Sequence, residues 1–275
     1  MRKLRIMSVI LLAVSLIIFG VFFVRERFLI DRTGPEFKIE DDKITISVKD
    51  DETALLSGVT ASDVKDGDVT DSVIVENISP FMDNGSRIIT YAAMDSDGHV
   101  SHAKRTLTYS DYTSPKFHFS QPLRLPRNTA ILPEGITAED VFDGDVTRNI
   151  LLLYEGDINR VNFGELDVTL KVSNSAGDAS YLPVTIEIYN PESDSADPQL
   201  SLTDYVVYLD QDAAFEPKTY LRPGTIDASR VNINSDVNTH IPGTYSVKYS
   251  VTDTESGTVT DSARLYVVVT GKGAN

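Results

Sequence analysis

The sequence contains no cysteine, and this absence excludes several kinds of site at once. No disulfide can stabilise a small core, no thiolate can ligate a metal, and no cysteine can carry a lipid anchor. Small secreted animal domains are commonly stapled by disulfides. A cysteine-free chain that lies outside the cytoplasm is therefore more typical of a bacterium.

Basic residues are scarce relative to acidic ones, with 25 lysines and arginines against 41 aspartates and glutamates. The formal net charge of −16 repels nucleic acid and anionic lipid headgroups at long range. We therefore expect no nucleic-acid partner. Two interpretations of the acidity stay open, a solvated surface that keeps the protein soluble or a surface that binds cations.

Recognisable catalytic motifs are also missing. The sequence has no Gly-x-Ser-x-Gly elbow, no phosphate-binding glycine loop and no zinc-protease helix motif. Three histidines, His99, His102 and His118, invite a zinc interpretation, but positions 99 and 102 point to opposite faces of a strand. We expect a protein that is not an enzyme.

One long apolar run extends from Ile6 to Val24 without a charged residue and follows Arg2, Lys3 and Arg5. Its length is close to the roughly 20 residues that a helix needs to cross a bilayer. The basic residues before the run favour a cytoplasmic N-terminus and an extracellular remainder. Residues 1–30 are thus predicted to be a basic stub and a single-pass signal-anchor in the cell membrane. The alternative is a signal peptide that is cleaved after a residue such as Gly20.

After this run, apolar and polar residues alternate with a period of two. The alternation is clearest at positions 166–172 and 182–188, which flank a turn-prone stretch at 174–177. Such a pattern buries one face of a strand and exposes the other, as in an antiparallel sandwich. The fold class that we predict is all-β.

A repeated stretch divides this β region. It reads Asp-Val-Lys-Asp-Gly-Asp-Val-Thr at 63–70 and Asp-Val-Phe-Asp-Gly-Asp-Val-Thr at 140–147, a separation of 77 residues. Predicted hairpin turns at Asp95, Asn174 and Asp253 recur every 79 residues. This spacing predicts three tandem domains, at 31–112, 113–191 and 192–275, with a polar linker near residues 190–198.

These motifs resemble the bacterial immunoglobulin-like domains of surface and secreted proteins, in which Ala-x-Asp leads into Asp-Gly-Asp-x-Thr. Residues 61–70 and 138–147 match that motif, and Pro-Gly-Thr-Tyr at 242–245 matches a later one. The resemblance implies tandem Greek-key sandwiches of seven strands, used as spacers or adhesive modules without a catalytic residue. The third copy departs from the pattern because it has no Asp-Gly-Asp.

The two Asp-Gly-Asp stretches are candidate calcium loops, since calcium prefers several carboxylate and carbonyl oxygens on a turn. The candidate ligands are Asp66, Asp68, Asp143 and Asp145. The spacing does not fit an EF-hand. The competing interpretation is that the aspartates cap a turn by accepting hydrogen bonds from nearby backbone amides.

Half of the twelve tyrosines lie in the third copy, and Tyr205, Tyr208 and Tyr220 are its candidate partner-binding residues. Exposed tyrosines can contact a protein or a glycan, but they are also ordinary strand residues. The function expected from the sequence is adhesion, display or spacing by a membrane-anchored bacterial surface protein. A structural subunit of a larger envelope assembly is the alternative, and a carbohydrate-binding module is a third hypothesis.

Overall fold

The computed structural model describes residues 2–24, 32–82, 85–127, 132–156, 162–192, 200–224, 226–252, 257 and 259–271. The chain divides into two compact units, Met1–Tyr109 (unit 1) and Ser110–Asn275 (unit 2). The predicted second and third domains both lie in unit 2, and the division into three domains stays a prediction.

The N-terminal helix α1 spans Arg2–Val24. Its described side chains are exposed almost throughout, and large residues such as Ile17 and Phe19 are more than 60% exposed. The stretch Arg5–Val24 is long and apolar enough to cross a membrane, because twenty helical residues span about 30 Å. A signal sequence near the N-terminus has the same properties.

Unit 1 continues as a two-sheet sandwich. Its elements are β1 (Glu36–Ile39), β2 (Lys43–Ile46), the short helix α2 (Glu52–Leu55), β3 (Val59–Asp63), β4 (Gly67–Asp68), β5 (Ile74–Ile78), β6 (Arg87–Met94) and β7 (Val100–Tyr109). The sheets have the strand orders β1-β3-β4 and β2-β7-β6-β5, and β2 runs parallel to β7. The chain changes sheets three times, between β1 and β2, between β2 and β3, and between β4 and β5, so that β2 lies at the edge of the second sheet beside β7.

The core of this sandwich lies between the two sheets. Val59 and Ala61 of β3 face Ile89, Tyr91 and Leu107 of the other sheet, and all are buried. The Tyr91 hydroxyl donates a 2.7 Å hydrogen bond to the Leu55 carbonyl, so the one polar atom of this buried ring has a partner.

Unit 2 contains the remaining strands: β8 (Lys116–Phe119), β9 (Arg124–Pro126), β10 (Ile136–Asp140), β11 (Gly144–Asp145), β12 (Leu151–Leu153), β13 (Gly164–Ser173), β14 (Ala179–Tyr189), β15 (Val206–Asp210), β16 (Val231–Ser235), β17 (Gly243–Thr252) and β18 (Val259–Thr270). The sheets β11-β10-β8 and β12-β13-β14-β9 repeat the arrangement of unit 1, including a parallel pair, β9 with β14.

The third copy differs from the first two. Its described residues form one sheet, β15-β18-β17-β16, in which β15 runs parallel to β18, together with an isolated bridge between Leu202 and Leu221. The glycine and second aspartate of the Asp-Gly-Asp motif are strand β4 in the first copy and strand β11 in the second. The motif and the strand that it forms are thus missing together from the described part of the third copy.

The predicted all-β class and the apolar N-terminal helix are confirmed. The alternation at 166–172 and 182–188 becomes the antiparallel pair β13 and β14, in which Leu166, Val168, Leu170 and Val172 are buried. The predicted turns at Asp95 and Asn174 join β6 to β7 and β13 to β14. The predicted turn at Asp253 lies outside the described residues, apart from Gly257.

Candidate functional sites

The first Asp-Gly-Asp stretch is a turn held by its own carboxylates. Asp63 Oδ1 accepts hydrogen bonds from the backbone N–H groups of Lys65 (2.8 Å) and Asp66 (3.0 Å). Asp68 Oδ1 accepts one from the N–H of Thr70 at 2.9 Å. Gly67 has φ 75°, a conformation that glycine adopts without a Cβ clash. This sequence therefore specifies a tight turn that is held by its own side chains.

The second stretch repeats this arrangement. Asp140 Oδ1 accepts from the N–H groups of Phe142 (2.9 Å) and Asp143 (3.1 Å), and Asp145 Oδ1 accepts from the N–H of Thr147 at 2.9 Å. Hydrogen bonds from the side chains and backbones of Thr70 and Thr147 lower the pKa of Asp68 and Asp145.

The middle aspartate of each stretch ties the turn to the following hairpin. Asp66 accepts from the N–H and the hydroxyl of Ser96, both at 2.8 Å, and these bonds lower the pKa of Asp66. Asp143 accepts in the same way from Ser175, at 2.6 Å and 2.7 Å. The middle aspartate thus connects the Asp-Gly-Asp turn of each sandwich to its hairpin turn by hydrogen bonds.

Calcium binding by Asp66, Asp68, Asp143 and Asp145 stays a hypothesis. Within the described ranges, no group of three or more histidine, aspartate or glutamate side chains is arranged to hold a metal ion. The hydrogen bonds above agree with the turn-capping interpretation. A melting temperature that is equal in millimolar calcium and in chelator would remove the calcium hypothesis.

One buried carboxylate oxygen distinguishes the first copy from the second. Asp140 Oδ2 accepts a 3.0 Å hydrogen bond from the Asn174 side-chain amide. Asp63, at the equivalent position, is only 8% exposed, and its Oδ2 has no hydrogen-bond partner among the described residues. The residue equivalent to Asn174 is Asp95, which is buried and ionised with its pKa lowered. Burial alone would raise that pKa, but hydrogen bonds from His99 outweigh the effect.

The three predicted partner-binding tyrosines are largely enclosed. Tyr205 is 3% exposed, and its hydroxyl accepts a hydrogen bond from the Leu202 N–H at 3.2 Å. The Tyr208 hydroxyl accepts from the Phe117 N–H at 2.8 Å, and burial raises its pKa to about 12. Tyr220 is half-buried, with its ring centroid 5.7 Å from that of Phe215. This geometry agrees with packing, and a partner-binding role for these residues stays untested.

Inside unit 2, a tyrosine on the sheet of the third copy makes hydrogen bonds and a ring contact with the second copy. The Tyr266 hydroxyl donates to the Thr185 carbonyl and accepts from the Thr185 N–H, both at 2.8 Å. Its ring meets that of Phe119 edge-on, with centroids 6.1 Å apart. Burial raises the Tyr266 pKa to about 12. Sequence reasoning missed this contact because Tyr266 looks like any other strand residue.

An ion-pair cluster lies at the same junction. Glu165 of β13 contacts Lys248 of β17 at 2.7 Å and Arg264 of β18 at 3.0 Å. The hydrogen bond from Lys248 is the main cause that lowers the Glu165 pKa. Because Glu165 and Lys248 are about half exposed, water screens much of this attraction.

A groove of about 860 Å³ opens beside this junction, entirely within unit 2. Its floor includes Leu153, Thr169 and Pro183, which lie side by side on β12, β13 and β14. The lining also includes Tyr154 and Glu155 of the second copy and Asp236 and Tyr245 of the third.

No family model matches this sequence, and no curated protein matches it either. Solved structures do match. One contains CBM51-2 in complex with GlcNAc and the INT domains of Clostridium perfringens ZmpB, at 23% identity and a TM-score of 0.23, covering 51% of this chain and 29% of that one. Another is the Bacteroides thetaiotaomicron lipoprotein BT2262, at 14% identity and a TM-score of 0.21, covering 84% and 98%. A third is human CDH23 EC21-23, at 14% identity and a TM-score of 0.21, covering 86% and 100%.

This chain spans less than a third of the Clostridium chain that it matches. At these identities and scores, the functions of the three neighbours do not transfer to this protein. The proposals that follow rest on the geometry of this chain.

Proposed function

We propose that this chain is a single-pass bacterial membrane protein whose immunoglobulin-like β-sandwiches lie outside the cell and serve adhesion, display or spacing without catalysis. The observation that carries the proposal is helix α1, whose apolar side chains are exposed all along Arg5–Val24. Exposed apolar surface of this extent is unfavourable in water and favourable in a bilayer. The three basic residues before it support a cytoplasmic N-terminus.

The junction inside unit 2 supports a role in display or spacing. One continuous cluster of buried side chains includes Leu170 and Ile186 of the second copy and Tyr249 and Leu265 of the third. Tyr208 and Tyr266 add hydrogen bonds between the copies. Two copies that share a core hold a fixed mutual orientation, which suits a protein that presents a surface at a set distance.

Membrane extraction tests the anchor. The full chain should remain in the membrane pellet after a carbonate wash. Val14→Lys with Ile18→Lys should release it, because each lysine near the bilayer centre costs about 3 kcal/mol on insertion scales. The matched control is Val14→Leu with Ile18→Leu, which keeps the helix apolar and should stay in the pellet.

Cleavage is measured separately by mass spectrometry of the purified protein. A mature N-terminus near residue 21 would identify α1 as a removed signal peptide and would overturn the anchor. An intact N-terminus in the membrane fraction supports it.

A further inference from the structure

The groove in unit 2 has the chemistry of a binding site for positively charged polypeptide. Three carboxylates line it, those of Glu155, Asp167 and Asp236, and no described lining residue is basic. The nearby cations Lys248 and Arg264 are instead held by Glu165. Among the described lining residues, a ligand that enters the groove therefore meets negative charge without a basic neighbour.

Two of these carboxylates are held in place by the fold. Asp167 Oδ1 accepts from the Thr185 hydroxyl at 2.8 Å, and Asp236 Oδ1 accepts from the Ser246 N–H at 2.7 Å. Each bond fixes the orientation of a carboxylate and uses one of its oxygens, so the second oxygen can accept from a ligand. Acceptors positioned before binding lose less conformational entropy when a ligand arrives.

Tyrosine side chains from both copies line the groove. Tyr154 is 39% exposed, and Tyr245 is held by a 2.8 Å hydrogen bond from its hydroxyl to the Ile241 carbonyl. Tyrosine faces attract lysine and arginine side chains through the negative charge of the ring face. Carboxylates and tyrosines together favour ammonium or guanidinium groups over neutral or anionic ones.

The dimensions suit an extended chain. The floor crosses three neighbouring strands, β12, β13 and β14. The outer two are two strand spacings apart, or about 10 Å, which is the length of about three extended residues. The floor row of Leu153, Thr169 and Pro183 is partly apolar, and Leu153 is 42% exposed. This row can contact the aliphatic part of a lysine or arginine side chain of the ligand, while the carboxylates bind its charged end.

We propose that this groove binds an extended segment of a partner protein that carries lysine or arginine side chains. The proposal goes beyond anchoring and display because it names the recognised chemistry and its location. Binding by the purified chain in detergent does not depend on topology in a membrane. The groove and the anchor can therefore fail independently.

The probe is a fluorescein-labelled hexapeptide of alternating lysine and serine, followed by fluorescence anisotropy with the full chain. A peptide with glutamine in place of lysine is the comparison and should not bind. The variant Asp167→Asn with Asp236→Asn keeps Oδ1 as an acceptor for Thr185 and Ser246, and it should raise the Kd by about tenfold. Tyr154→Ala alters an exposed ring and should also weaken binding.

The matched control is Glu134→Gln with Glu139→Gln, two exposed acids of unit 2 outside the groove. Both double variants change the formal charge of −16 by the same two units. The control should leave the Kd unchanged within about twofold, and equal melting temperatures would verify that both variants fold. Equal weakening by the two pairs would show non-specific attraction and overturn the proposal. A different outcome would also overturn the proposal: the chain binds a neutral glycan but not the peptide, and Tyr154→Ala abolishes the glycan binding. The groove would then be a sugar site.

Discussion

At the residue scale, positions 95 and 174 are equivalent but place different atoms beside the preceding Asp-Gly-Asp turn. Asn174 donates to Asp140, whereas Asp95 has no donor to offer, and Asp63 Oδ2 is buried without a partner. A buried, unsatisfied polar atom costs roughly 1–3 kcal/mol. The first copy therefore contains a local source of instability that the second lacks.

We predict that Asp95→Asn stabilises unit 1 by about 1 kcal/mol, because the new amide can donate to Asp63 Oδ2. The remaining oxygen can still accept from the His99 N–H, as Asn174 Oδ1 does from the Asp178 N–H. The substitution also removes the 2.7 Å contact of Asp95 Oδ2 with His99 Nδ1, which contributes less because the His99 side chain is 37% exposed. Thermal unfolding of the full chain measures the change. The reverse substitution, Asn174→Asp, should destabilise unit 2. A lower melting temperature for Asp95→Asn would contradict the equivalence of the two copies.

The turn aspartates also set a pH dependence. The pKa values of Asp66, Asp68 and Asp145 are lowered in the folded protein. A lowered pKa contributes stability above the unfolded value of about 3.9, and this contribution is lost as the pH falls through the folded value. We predict that these groups do not change the melting temperature between pH 7 and 5 but lower it below about pH 4.

The variant Asp68→Asn with Asp145→Asn tests whether the turn aspartates cause this acid sensitivity, since it removes two of these three aspartates. Its melting temperature should fall less steeply below pH 4 than that of the unchanged protein. An identical decline in both proteins would assign the acid sensitivity to other carboxylates.

At the element scale, Tyr266 of β18 contacts Thr185 of β14 across the junction in unit 2. Tyr266→Phe keeps the ring but removes both hydrogen bonds to Thr185. We predict a loss of about 1–2 kcal/mol in the stability of unit 2, since the backbone groups of Thr185 lose their partner. Glu165→Gln should cost less than about 1 kcal/mol, because its ion pairs are exposed.

Urea unfolding of both variants measures these free energies. If Glu165→Gln lowered the free energy of unfolding of unit 2 more than Tyr266→Phe, the ion-pair cluster would stabilise the junction more than the tyrosine does.

Sequence patterns predict strands and hairpins well because these depend on neighbouring residues. The alternation at 166–172 and the turn at Asn174 gave a correct antiparallel pair. The same patterns do not indicate that β2, β9 and β15 pair in parallel with distant strands, since alternation shows which face is buried and not which strand lies beside it.

The candidate sites were harder to predict for the same reason. The motif identified Asp66 and Asp143, but their serine partners lie about thirty residues further along the chain. Composition offered Tyr205 and Tyr208 as partner-binding candidates with strand packing as the alternative, because composition does not report burial. The groove is formed by side chains from two copies, and no local pattern marks such a meeting point.

At the whole-molecule scale, the protein has one apolar N-terminal helix followed by β-sandwiches that lie in two compact units. The units have separate hydrophobic clusters, each including its own buried tyrosine, Tyr91 in unit 1 and Tyr249 in unit 2. The central claim is that α1 holds the chain in a membrane with the N-terminus inside and the β-sandwiches of both units outside.

Single-cysteine labelling tests this claim most directly, because the chain has no cysteine of its own. Lys3→Cys reports on the N-terminus, Lys104→Cys on unit 1 and Asn232→Cys on unit 2, and positions 3, 104 and 232 are all exposed. Intact cells that express each full-length variant are treated with a membrane-impermeant maleimide. We predict labelling at 104 and 232 in intact cells, and at 3 only after permeabilisation. Labelling at 3 in intact cells, with 104 and 232 protected, would contradict the proposed topology.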